Sequence, residues 1–301
     1  MATPMTADQF VKALKAEGLN VKEYPGWRTN NRNHKGKFDN VNGVVIHHTA
    51  GSNSLAFVYE GNTSLPGPLC HTHLSKAGTA TMVGNGRANH GGTFAQNAHN
   101  AVVAESPKHP VPSRSEPVDG NRHYYGIEIE NLGNGKDFYP EVQYRAAVLW
   151  AAAICRHHKW SADSVIGHKE GTRRKIDPKG PIGSPKGEQW DMDEFRKDVA
   201  AQLKRKPGKV PAPSKPPKPK PKAPPFPGRQ HFKAGANNAH VTQLGKQLVK
   251  RGYGRYYAVG PGPRWSAADH NAVRAFQKSQ KWSGADADGY PGPTTWKRLF
   301  S

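Results

Sequence analysis

A basic, proline-rich tract divides the 301-residue chain into two parts, each of which needs a core of its own. Residues 205–228 read RKPGKVPAPSKPPKPKPKAPPFPG, with ten prolines, seven cations and no acid. Its prolines and like charges favour an extended polyproline II spacer that reaches up to about 75 Å, at about 3.1 Å per residue. We therefore predict a large domain over 1–204, a linker over 205–228 and a small domain over 229–301.

Charge and hydropathy narrow the class of protein. The formal net charge of +21 predicts attraction to a polyanion, which could be nucleic acid, anionic lipid or an anionic cell wall. No apolar run approaches the roughly 18 residues of a membrane span, and the first residues lack the basic tip and apolar stretch of a secretory signal. The two cysteines, Cys70 and Cys155, cannot build a disulfide framework. Whether they pair stays open, and buried free thiols are the favoured interpretation.

Hydrophobic patterns in the large domain predict an α/β fold. The segments VNGVVIHH (41–48) and YYGIEIEN (124–131) are typical of strands, and the alanine-rich segment 140–160 is typical of a long, largely buried helix. Strands around such a helix predict a mixed central β-sheet flanked by helices. The region 86–123 is rich in Gly, Asn, His and Pro and lacks periodicity, so we predict a long functional loop there.

Histidines and one carboxylate suggest a metal site. His47 ends the first predicted strand, and His168 precedes Asp177 by nine residues in GHKEGTRRKIDPKG. Two imidazoles and a carboxylate provide three ligands, the number at which a catalytic zinc keeps its fourth position for water. The spacing alone leaves the alternative open that these are ordinary surface or loop-capping residues.

A family resemblance adds to this pattern. VVIHHTAG, YGIEIEN and IGHKEGTRRKIDPKG occur in this order over most of residues 40–200. In these motifs the chain resembles the zinc-dependent N-acetylmuramoyl-L-alanine amidases of the type 2 family, which share their fold with peptidoglycan recognition proteins and phage T7 lysozyme. The resemblance implies one Zn²⁺ per chain, with His47, His168 and Asp177 as ligands. It also implies that Glu128 and Lys175 are catalytic.

The resemblance has implications for other residues as well. Cys70 stands where other members have a catalytic tyrosine, which shifts the proton-transfer role to Glu128. His90 in RANHGG resembles a family histidine at the wall of the substrate groove, so substrate binding is its predicted role, with a structural role as the alternative. Independently of the resemblance, strand alternation predicts that His48 faces away from His47. His71 and His73 share a strand face and could form a metal pair, but a structural role is the favoured interpretation.

The small domain shows three amphipathic helical segments. The patterns place Val241, Leu244, Leu248 and Val249 on one helix and a capping box from Ser266 to Asp269 at the start of the next. Thr294 is predicted to cap a last short helix. With AVRAFQ and DGYPGPTTW, this three-helix layout resembles the peptidoglycan-binding domain 1 family, which implies a cell-wall-binding module.

Taken together, these features predict a modular peptidoglycan hydrolase that cleaves the amide between N-acetylmuramic acid and L-alanine. The two-domain arrangement, the basic charge and the first residues favour a phage endolysin that stays in the cytoplasm of the infected cell until release and then acts on the cell wall. We expect a monomer without a specific nucleic-acid partner. The alternatives are a bacterial autolysin or recycling amidase of the same chemistry, and a recognition protein without catalysis. A nucleic-acid-binding protein is suggested by the charge alone.

Overall fold

The structure is a computed structural model that describes residues 2–208 and 224–300. The chain divides into two compact units, Met1–Val210 and Pro211–Ser301. Most of the predicted linker, residues 209–223, lies outside the described residues. Across both described ranges, no helix has the length and apolar character needed to cross a membrane.

The first unit contains eight strands and seven α-helices within residues 2–208. The strands are β1 Asn20–Glu23, β2 Gly43–His48, β3 Thr72–Leu74, β4 Thr79–Met82, β5 Thr93–Phe94, β6 Val118–Asp119, β7 Tyr124–Ile129 and β8 Val165–Gly167. The helices are α1 Ala7–Glu17, α2 Leu55–Glu60, α3 Gln96–Val103, α4 Gly120–His123, α5 Glu141–His158, α6 His168–Gly171 and α7 Met192–Leu203.

Six of these strands form a mixed central sheet, which confirms the predicted fold class. The strand order is β1-β4-β3-β7-β2-β8. Strands β3, β7, β2 and β8 are parallel to one another, β4 is antiparallel to β3, and β1 is parallel to β4. The short strands β5 and β6 form a separate antiparallel pair. The carboxyl ends of four parallel strands therefore meet at one edge of the sheet.

Alternation along β2 sends its side chains into two different cores. Val44 and Ile46 join the large core that includes residues of α1, α5 and α7. Val45, between them, joins a smaller core with Phe94 and with Val102 of α3. Because alternate residues of a strand face opposite sides of the sheet, His47 lies on the same side as Val45. The site therefore lies on the face opposite α5.

Helix α5 is the predicted long helix, and Pro140 occupies its N-cap position. Every residue from 146 to 155 is buried, as the alanine-rich sequence predicts. The prediction for 86–123 was wrong, because this region contains β5, α3, β6 and α4. Helix α3 buries Ala98, Ala101 and Val102, whose small side chains give only a weak periodic signal among Asn and His residues.

The second unit contains the three predicted α-helices: α8 Ala239–Leu248, α9 Ala267–Ser279 and α10 Pro293–Phe300. Its core includes Val241, Leu244 and Leu248 from α8. The capping box is present, since the Ser266 backbone N–H and hydroxyl donate to Asp269 Oδ2 at 2.9 and 2.8 Å. The unit is thus a small helical bundle around an apolar core.

Three details of this unit differ from the sequence-based expectation. Val249 is 41% exposed, because α8 ends at Leu248. Thr294 lies inside α10, which begins at Pro293, so it does not cap that helix. The described linker residues 224–228 contact the second unit: Trp296 Nε1 donates to the Pro224 carbonyl at 2.7 Å. The bundle therefore begins a few residues before position 229.

Candidate active site

Three side chains converge where the parallel strands β2 and β8 end. The two strands are neighbours in the sheet, so His47, at the end of β2, lies beside His168, which follows β8 directly. The chain then leaves α6 and returns with Asp177, whose carbonyl accepts a hydrogen bond from Lys169 N at 2.9 Å. The three residues are 1%, 5% and 7% exposed, so the cluster is buried.

The ligand atoms of this cluster form a compact triangle. His47 Nδ1 is 2.9 Å from His168 Nδ1 and 3.2 Å from Asp177 Oδ2, and the last two atoms are 3.1 Å apart. In a zinc tetrahedron with bonds of about 2.05 Å, neighbouring ligand atoms are about 3.3 Å apart. Three atoms at this spacing fit three corners of such a site. Among the described residues, His47, His168 and Asp177 form the one group of potential ligands close enough together to hold a metal ion.

The protonation states also suit a metal. Burial lowers the pKa of His47 to about 4, with a further contribution from His168. At neutral pH, His47 is therefore neutral, which is the form that coordinates metals. Burial alone would raise the pKa of Asp177, but its close contacts with the rings of His168 and His47 outweigh burial and lower that pKa. Asp177 is therefore a carboxylate.

Glu128 lies next to this cluster on β7. The register of β2 and β7 sets Glu128 opposite His47, so both side chains lie on the same side of the sheet. Glu128 Oε2 is buried and has no hydrogen-bond partner. Burial raises the pKa of Glu128 well above its ordinary value, the charge of Asp177 raises it further, and the charge of Lys175 lowers it. A raised pKa makes a carboxyl group a stronger base, as proton transfer from water requires.

Lys175 lies in the segment that links α6 to Asp177, and its side chain is exposed. Its positive charge lowers the pKa of Glu128. Glu116 braces the segment, because its carboxylate accepts hydrogen bonds from the side chains of Thr172 and Arg174. The residues before β6 thus support the segment that carries Lys175.

His90 lies behind His47 rather than at the wall of a groove. Its side chain is buried, and its Nδ1 is 3.0 Å from His47 Nε2. Its Nε2 is 3.1 Å from the Tyr124 carbonyl oxygen. Because both ring nitrogens have partners within the protein, the structure does not present His90 for the substrate contact that the sequence analysis predicts.

The other singled-out residues lie outside the triangle. His48 faces away from His47 and accepts a hydrogen bond from Lys179 N at 3.3 Å. His71 Nδ1 accepts from Gly126 N at 3.0 Å and its Nε2 donates to the Gly86 carbonyl at 2.8 Å, which is a structural role. His73 contacts the Ser54 hydroxyl at 3.0 Å.

Both cysteines are buried and free, as the favoured interpretation predicts. Burial raises the pKa of Cys70 and of Cys155, so neither offers a reactive thiolate.

A comparison with protein families identifies the domain around this site. Residues 37–180 match the model of the N-acetylmuramoyl-L-alanine amidase family. This stretch of the first unit is therefore similar to the amidase family. The matched range includes every residue of the triangle, together with Glu128, Lys175 and His90. No curated protein matches the chain by sequence.

Solved structures that resemble the chain include amidases of low sequence identity. The N-acetylmuramoyl-L-alanine amidase LysC from Clostridium intestinale is 17% identical, with 60% of this chain and 96% of that chain covered and a TM-score of 0.38. The catalytic domain of XlyA is 18% identical, with 60% and 99% covered and a TM-score of 0.36. The amidase AmiD from E. coli, solved with an anhydro-N-acetylmuramic acid peptide, is 16% identical, with 87% and 88% covered and a TM-score of 0.35.

Sequence reasoning missed the contact between His90 and His47. Forty-three positions separate the two histidines, and no spacing rule links a loop residue to a strand end. One signal was available, because Gly126 interrupts the apolar strand YYGIEI. An isolated glycine within a strand often marks close approach by another group. Here that group is the His90 ring.

Proposed function

We propose that the chain is a zinc-dependent peptidoglycan amidase that hydrolyses the amide between N-acetylmuramic acid and L-alanine. One observation carries the proposal: the buried triangle of His47 Nδ1, His168 Nδ1 and Asp177 Oδ2, within 3.2 Å of one another, lies in a domain that matches the amidase family. The charge state and the spacing of these three groups suit Zn²⁺.

The catalytic roles follow from the residues around the triangle. Zinc held by these ligands supplies a water of lowered pKa and a Lewis acid for the amide carbonyl. Glu128 would take the proton of the attacking water and deliver it to the departing nitrogen of L-alanine, since its Oε2 has no other partner. Lys175 would stabilise the negative charge that develops on the carbonyl oxygen.

We further propose that the second unit binds the cell wall and that the protein works as an endolysin. The basic linker and the helical bundle with its three predicted helices support this division of labour. Attachment through the bundle would hold the catalytic unit near many substrate bonds and raise the effective substrate concentration.

Digestion of purified walls tests the proposed reaction. The zinc-loaded protein should release stem peptides that begin with a free L-alanine amino group, which mass spectrometry of the soluble fragments would detect. Treatment with a chelator should stop the release, and added zinc should restore it. New reducing sugar ends, or cuts between amino acids of the stem, would show that the bond is a different one.

A further inference from the structure

The partners of His90 determine where the protons lie in a short hydrogen-bond chain. A carbonyl oxygen can only accept, so the 3.1 Å contact with the Tyr124 carbonyl requires a proton on His90 Nε2. A neutral imidazole carries one proton, which leaves His90 Nδ1 as an acceptor. His47 Nε2, at 3.0 Å, must then donate to it. The unprotonated nitrogen of His47 is therefore Nδ1, the atom in the triangle with His168 and Asp177.

We propose that His90 is a positioning residue that holds His47 in the tautomer and orientation in which Nδ1 faces the metal. The proposal rests on the metal site proposed above and replaces the substrate-binding role expected from the sequence. A partner of this kind fixes the ring of a ligand and raises its basicity. Carbonyl groups and carboxylates commonly serve in this way. Here the partner of His47 is the imidazole of His90, which in turn donates to the Tyr124 carbonyl.

The surroundings of His90 hold it in this position. The backbone N–H groups of His90 and Gly91 both donate to Asn121 Oδ1, at 2.8 and 2.7 Å. Beneath the ring, a Cβ added at Gly126 would lie 2.4 Å from His90 Nδ1 and 2.7 Å from its Cε1. Glycine at 126 therefore leaves the space that the imidazole occupies.

Two substitutions of the full chain separate positioning from packing. In His90→Phe, a ring remains but the acceptor is lost, and we expect zinc affinity to fall by about 10- to 100-fold. In His90→Gln, the side-chain carbonyl can accept from His47 while the amide donates to Tyr124. Most of the zinc affinity should return. Gly126→Ala should also weaken zinc binding, because it pushes an intact His90 ring away.

His71→Phe is the matched control, since His71 is also buried and both of its ring nitrogens have partners, in its case two backbone groups. Zinc dissociation constants from competition with a fluorescent chelator give the comparison, and we expect the control to stay within about threefold of the unsubstituted chain. Wild-type affinity in His90→Phe would overturn the proposal. An equal loss in His71→Phe would also overturn it, because the effect would then be general packing.

The tautomer can be read without any substitution, which keeps the test decisive if a variant does not fold. Nitrogen-15 NMR of the histidine-labelled, metal-free chain should show the His47 proton on Nε2. A proton on Nδ1 would contradict the proposal. Failure of the unsubstituted chain to hold zinc would remove the proposed function, whereas the position of the His47 proton would still decide the role of His90.

Discussion

The two units bury different kinds of side chain. The first unit buries five histidines and Asp177 in and around the candidate site, with the histidines at positions 47, 71, 73, 90 and 168. Within the described part of the second unit, no histidine is buried, and the buried polar side chains are Asp269, Gln277 and Thr295. Of these, Asp269 and Gln277 form hydrogen bonds within the bundle. Asp269 caps α9, and the Gln277 side-chain oxygen accepts from Gly289 N at 2.8 Å.

This difference is expected if the first unit carries out the proposed reaction and the second unit takes no part in it. Burying titratable groups costs free energy of folding, and such groups cluster where their protonation states serve a function. We therefore expect the first unit to respond strongly to pH, metal and single substitutions at polar positions. The second unit should respond weakly to all three.

The largest effect on turnover is expected at Glu128. Glu128→Gln keeps the shape of the side chain but removes proton transfer, so kcat on purified walls should fall by about 10² to 10⁴ while zinc is retained. Glu130→Gln is the matched control just past the end of β7, where the carboxylate accepts from Asn53 N. We expect less than about a tenfold change there. Loss of zinc in Glu128→Gln would instead make Glu128 a metal ligand.

Lys175→Met should have the next largest effect. Removing a group that stabilises the developing oxyanion costs about 10² to 10³ in kcat. The Lys175 charge also lowers the pKa of Glu128, so its removal should raise that pKa. Because the reaction requires the unprotonated Glu128, the acidic limb of the kcat/KM profile should move to higher pH. Lys179 is another exposed lysine, four positions further on, and Lys179→Met should leave the acidic limb in place. An unmoved limb in Lys175→Met would contradict the account.

Acid should unfold the first unit before the second. Burial lowers the pKa of His71 and of His73 to about 4, against about 6.5 in an unfolded chain. Between these values the unfolded chain binds protons that the folded unit does not, so stability falls as pH drops from about 6.5 towards 4. Each of the two histidines should lower the free energy of unfolding of the first unit by up to about 3 kcal/mol over this pH range. NMR signals of the two units followed from pH 7 to pH 3.5 would show this, and simultaneous loss would contradict it.

Removal of the second unit should have the smallest effect on chemistry. A chain that ends at Gly208 should keep its zinc and its turnover on small soluble muramyl peptides. It should clear intact walls severalfold more slowly, with a deficit that grows as salt screens its remaining basic surface. The fragment 224–301 should sediment with purified walls without lysing them. Equal clearing rates at every salt concentration, with the fragment left in the supernatant, would show that the second unit has another task.

The sequence predicted those parts of the molecule that depend on local pattern. A compact β-branched run predicted β2, alternation of apolar and acidic residues predicted β7, and alanine content predicted α5. The Ser266–Asp269 spacing predicted the cap of α9. The metal and catalytic assignments came from motifs in a family resemblance, and they stay predictions. The hydrogen bond between His90 and His47 could not be predicted, because it joins a loop residue to the end of a distant strand. Helix α3 escaped because small buried residues give little periodic signal.

Metal analysis tests the central claim most directly. The purified full chain, dialysed against metal-free buffer after zinc loading, should hold one zinc per chain. His168→Ala should hold none and lose lysis, whereas His157→Ala, at an exposed position on α5, should match the unsubstituted chain. NMR signals from residues 224–300 should be unchanged in all three. A wall-lysing chain that holds no metal, or a His168→Ala variant that retains one zinc, would contradict the account.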